Sequence, residues 1–117
     1  MARIDLPSGA WVEYRDTLTA GDMFAVQESI VFDSDGGKIT YHGGLQNQMR
    51  NALLTRIITA WSFEDKGIPI PSRHVARASV FTDMDMSIDD YNTLAAAVEP
   101  LVTKVRWQAP NPQPSQT

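Results

Sequence analysis

The sequence predicts an α+β domain, mainly α, in which about three helices pack with an N-terminal β-hairpin. Three observations predict it. Residues 1–16 alternate and are broken by a turn. Residues 45–63 carry a broad apolar stripe at helical spacing, and residues 88–106 repeat that spacing behind a capping serine.

Within the first segment Ile4-Asp5-Leu6 alternates, Pro7-Ser8-Gly9 supplies turn chemistry, and Trp11-Val12-Glu13-Tyr14 is rich in strand formers. Apolar residues fall on both faces near Trp11 and Val12, so one face is expected to cover the helices and the other to be partly exposed. The first helix is expected after Thr19, a good N-cap, with Asp22 at the third helical position. Leu18 and Met23 are placed as a hydrophobic staple, and Met23, Val26 and Ile30 form the stripe. Residues 33–37, Asp-Ser-Asp-Gly-Gly, then end the helix and open a loop, with 38–41 as a candidate short strand.

In the second helix Leu45, Met49, Leu53, Leu54, Ile57, Ile58 and Trp61 share one face. Gly67, Pro69 and Pro71 make 64–86 an irregular connection, with 78–81 as either a strand or a packed loop. The last helix has Ser87 as cap, Asp89 and Asp90 in its first turn, and Pro100 in its interior, where a kink is expected. The domain is expected to span 1–107, followed by a proline-rich flexible tail over 108–117.

Composition narrows the function. The chain has 117 residues, 43% apolar and 21% charged, as an ordinary globular domain has. A net charge of −4 with scattered Lys and Arg argues against nucleic acid as a partner. The absence of cysteine excludes disulfides and thiolate metal sites. No apolar run approaches a membrane span, and the first residues have no signal-peptide core, so a cytoplasmic location is expected and no membrane partner.

The motifs of catalysis fail one by one. His42 and His74 stand alone at no ligand spacing, so no metal is assigned to them. Asp33-Ser-Asp35-Gly36 starts like a calcium loop but has glycine at the fourth position and Gly44 at the twelfth. Asp83, Asp85, Asp89 and Asp90 sit where helix starts favour acid. No serine lies in a nucleophile elbow, and Gly37-Lys38-Ile39 lacks the hydroxyl residue of a phosphate loop. Trp61 continues a core stripe, and Trp107 lies just past the last helix as packing or partner contact. No catalytic, cofactor or metal residue is therefore assigned, and the chain is expected not to be an enzyme.

Residues 53–63, Leu-Leu-Thr-Arg-Ile-Ile-Thr-Ala-Trp-Ser-Phe, are followed by a proline-bearing loop and by 89–101, Asp-Asp-Tyr-Asn-Thr-Leu-Ala-Ala-Ala-Val-Glu-Pro-Leu. With the opening 3–16, Arg-Ile-Asp-Leu-Pro-Ser-Gly-Ala-Trp-Val-Glu-Tyr-Arg-Asp, this order resembles the tail assembly chaperones of tailed bacteriophages. The resemblance implies a protein of the host cytoplasm that binds the tape measure protein and keeps it soluble during tail assembly. The tail tube protein is a further candidate partner, and homo-oligomerisation stays open. The same resemblance leaves a small structural protein of the phage head or tail as the alternative.

Overall fold

The fold was obtained as a computed structural model, which describes residues 1–41, 44–65, 67–70 and 79–105. Strand β1 (Ala2–Asp5) pairs antiparallel with β2 (Trp11–Tyr14). The five residues between them close through Leu6 N–H to Ala10 C=O at 2.8 Å, with Gly9 at φ +92°. That positive φ is why a glycine stands there.

Helix α1 (Ala20–Glu28) begins with a capping box: the Thr19 hydroxyl accepts from Asp22 N–H, and the Asp22 carboxylate accepts from Thr19 N–H at 2.8 Å. Strands β3 (Phe32–Asp35) and β4 (Lys38–Tyr41) follow as a second hairpin. Gly36 and Gly37 alone join them, at φ +58° and +86°, so the loop is the type I′ turn that suits a right-twisted hairpin.

Helix α2 (Leu45–Ile57) buries Met49, Leu53, Leu54 and Ile57 completely. It stops where three β-branched residues meet, Ile57-Ile58-Thr59. The backbone turns extended at Ile58 (φ −66°, ψ 125°), and β5 (Ile58–Trp61) pairs with β2. A bulge at Thr59 lets Glu13 face Ala60 while Tyr14 faces Ile58. The sheet order is thus β1-β2-β5, all antiparallel.

Beyond it, β6 (Glu64–Asp65) and β7 (Ile68–Pro69) form a minimal hairpin, and a single helical turn, α3 (Val80–Asp83), precedes α4 (Ile88–Val105). Helix α4 runs on through Pro100. It sets Leu94, Val98, Leu101, Val102 and Val105 against the buried faces of α1, α2 and the sheet.

This corrects the fold expected from the sequence. The chain is a mixed α+β protein, not a mainly α packing of about three helices with one N-terminal hairpin. Four helices and three antiparallel sheets occur among the described residues. The physical reason lies at two points. The apolar stripe of 45–63 is helical only to Ile57, because from Ile58 the backbone pairs with β2, and the bulge at Thr59 lets Ile58 and Trp61, three residues apart, bury on the same face of the sheet. Residues 33–37 are the end of a strand and the two-glycine turn of a hairpin rather than the end of a helix. Pro100 lies inside α4, which continues five residues beyond it to Val105. His42, the connection 71–78 with His74, Trp107 and the proline-rich tail lie outside the described residues.

Candidate functional site

Two buried carboxylates organise the body. Asp22, on the first turn of α1, is wholly inaccessible to solvent. Arg15 grips it with two parallel bonds of 2.9 Å, Nη1 to Oδ2 and Nη2 to Oδ1, the fork geometry of a charge-assisted pair. Arg56 Nε, from the last turn of α2, adds a third at 3.2 Å. The Arg15 guanidinium, then the Thr19 N–H and Arg56, hold the Asp22 carboxyl well below the usual carboxylate range. The same partnership raises the pKa of Arg15. Such a carboxylate stays ionised and fully bonded, so it is built to tie α1, α2 and the sheet together and not to move protons.

Asp90, at the third position of α4, is the other, at 2% exposure. Its backbone N–H is capped by the Ser87 hydroxyl at 3.1 Å. Its carboxylate reaches across to the β1–β2 turn, accepting from Ser8 N–H at 3.0 Å and from the Ser8 hydroxyl. The acidic residue expected to favour a helix start therefore also pins the first hairpin to the last helix. Asp83, Asp85 and Asp89 do not join it: all three side chains are exposed. Asp33 and Asp35 stand on β3, also exposed. Among the described residues no three His, Asp or Glu side chains converge as a metal site would require.

Aromatic contacts connect this frame to the surface. Trp61 is buried, as its place in a core stripe suggests, and its indole N–H donates to Ile70 C=O at 3.0 Å. It meets Phe63 and Phe81 edge-on, and Phe81 in turn meets Tyr91 at 6.0 Å between ring centres. On the other face of the first sheet Trp11 lies under the Arg3 guanidinium at 4.7 Å, a cation–π contact that covers the apolar side chain expected to be partly exposed.

The aromatic line ends in the candidate binding site. Phe81 and Tyr91 lie in a surface groove of about 820 Å3 over α2 and the first turn of α4. The Tyr91 hydroxyl donates to Asn51 Oδ1 on its wall. Val31 and Ile88 stand on its rim, 54% and 79% exposed. None of its described lining residues carries a charge; they are hydroxyls, amides and apolar groups. Sequence reasoning missed this site, since its residues come from four separate segments and form no motif. The one signal available was that Asn47, Gln48 and Asn51 put three amides on the first two turns of α2.

The fold and the groove define a mixed α+β protein whose two most buried carboxylates serve architecture and whose groove has no charge among its described lining residues. The chain matches no protein-family model, no curated protein and no solved structure. Among the described residues no helix is long and apolar enough to cross a membrane.

Proposed function

We propose that this chain is a binding protein, acting in the host cytoplasm as a phage tail assembly chaperone that holds the tape measure protein soluble. The observation that carries the reading is the open groove, whose described lining carries no charge, with apolar side chains exposed on its rim. Isolated exposed apolar residues are ordinary, but apolar groups gathered around a concave surface suit a protein segment. The two buried carboxylates support the same reading from the other side, since both are consumed by structural bonds, Asp22 to arginines and Asp90 to Ser8. Co-expression with the tape measure protein is expected to raise the soluble yield of that protein and to recover the two together. An unchanged yield without co-purification would sink the proposal.

A second reading, a small structural protein of the phage head or tail, is favoured by the β3–β4 hairpin. Phe32, Ile39 and Tyr41 share one of its faces, and Phe32 and Ile39 are 49% exposed. An amphipathic hairpin of this kind suits contact between neighbouring subunits. Mass spectrometry of purified virions separates the two readings: stoichiometric copies in the particle favour the structural role, and absence favours the chaperone.

A further inference from the structure

The first sheet has β1 at its edge, and the bonding of β2 fixes which groups that edge presents. The Trp11 C=O accepts from Ser62 N–H at 3.0 Å, and the Arg15 N–H donates to Ile57 C=O at 2.9 Å. The odd-numbered residues of β2 thus bond toward β5. Val12 and Tyr14 bond the other way, to their partners Ile4 and Ala2 on β1. The main-chain N–H and C=O groups of Arg3 and Asp5 are left pointing out of the sheet, and no strand among the described residues lies beyond them. Such an edge is a template for another extended chain.

The charges on the edge specify which chain. The Arg3 and Asp5 side chains share the outer face of β1, 53% and 80% exposed, and Ile4 between them turns inward against the core. Charges on an edge strand ordinarily keep other chains away, but these two alternate in sign and complement themselves. When β1 pairs antiparallel with a second copy of itself, centred on Ile4, each Arg3 faces the Asp5 of the other copy. Both facing pairs are then of the hydrogen-bonded kind, because their main-chain groups already point outward. Slipping the register by two residues sets Arg3 against Arg3 or Asp5 against Asp5, and slipping it by one turns the bonding groups away from each other. Pro7 has no N–H, so the ladder stops before it. Within its own chain Arg3 meets Asp5 at 3.5 Å and Glu13 at 3.9 Å. These contacts are long and solvent-exposed, and they leave free the main-chain groups that supply the affinity.

We infer that β1 is a self-association edge: two copies of this chain pair their β1 strands antiparallel about a two-fold axis at Ile4, joining two three-stranded sheets into one. The paired strand is only four residues long, so the dimer forms and dissociates with concentration. The inference goes beyond the binding reading above and stands whether or not the tape measure protein is the partner, because β1 lies outside the groove.

Sedimentation of the full chain from about 10 μM to about 1 mM is expected to show monomer passing into dimer. Over the same range the Arg3 and Asp5 amides are expected to exchange with solvent about tenfold more slowly, with the α2 and α4 amides unchanged. Asp5→Arg, which sets cation against cation at both facing pairs, is expected to weaken the dimer about tenfold or more. Arg3→Asp/Asp5→Arg restores opposite charges in reversed order and is expected to recover it. A monomer at every concentration overturns the inference. So does a dimer whose Arg3 and Asp5 amides stay unprotected, or one that Asp5→Arg leaves intact, since the copies then meet elsewhere. A double variant that stays monomeric also overturns it, because the effect of Asp5→Arg is then not one of facing charges.

Discussion

Asp22 receives bonds from three parts of the chain: the end of β2 through Arg15, its own helix cap, and the end of α2 through Arg56. Neutralising it leaves two guanidinium groups without their shared counter-charge. Asp22→Asn is expected to cost about 2–3 kcal/mol in urea unfolding, less than a wholly buried pair, because Arg15 and Arg56 are 35% and 44% exposed. The pH dependence has a definite sign. The folded pKa lies below the unfolded one, so the stabilisation is complete above the unfolded value of about 3.9 and is lost as pH falls below it. The wild-type unfolding midpoint is therefore expected to fall more steeply between about pH 5 and about pH 3 than that of Asp22→Asn. Parallel profiles would show that the carboxylate contributes nothing beyond its neighbours. Thr19 and Asp22 were legible in the sequence as a cap and a first-turn acid, because capping is local. Their arginine partners were not, since Arg56 comes 34 residues later and only the fold brings it in.

At the scale of elements, the β3–β4 hairpin depends on its turn. Gly37 sits at φ +86°, and a Cβ there would meet nothing within 4 Å, so the cost of a side chain is purely one of backbone conformation. Gly37→Val is expected to destabilise the hairpin by about 1–2 kcal/mol and to speed amide exchange of residues 32–41 roughly tenfold, with the α2 and α4 amides unchanged. Uniform acceleration across the core would instead make the hairpin part of the global cooperative unit. The hairpin was half legible. Residues 38–41 have strand character, but Phe32-Asp-Ser-Asp35 is short of β-branched residues, and tandem glycines end helices as readily as they turn hairpins. Residues 57–61 were hidden for a different reason. Ile57, Ile58 and Trp61 satisfy the helical period and not the strand period of two, and only a bulge at Thr59 and pairing with β2 bring Ile58 and Trp61 to one face of the sheet.

Across the whole molecule, the buried carboxylates and the groove use separate groups. The charges in deepest contact, Asp22 and Asp90, fasten α1, α2, α4 and the first hairpin to one another. The described lining of the groove, with Asn51 and Tyr91, carries no charge. The apolar stripes of α2 and α4 made the core legible, since burial follows periodicity. The groove was not legible, because neutral polar residues leave no periodic or charge signature and their convergence is a property of the fold alone. The most direct measurement of the central claim is recovery of soluble tape measure protein co-expressed with the wild-type chain, with the groove variant Thr82→Glu/Ile88→Glu, and with Thr103→Glu, a control on α4 outside the groove. The account predicts co-purification with the wild type and with Thr103→Glu and its loss with the double variant. Equal recovery with all three chains, or with none, would contradict it.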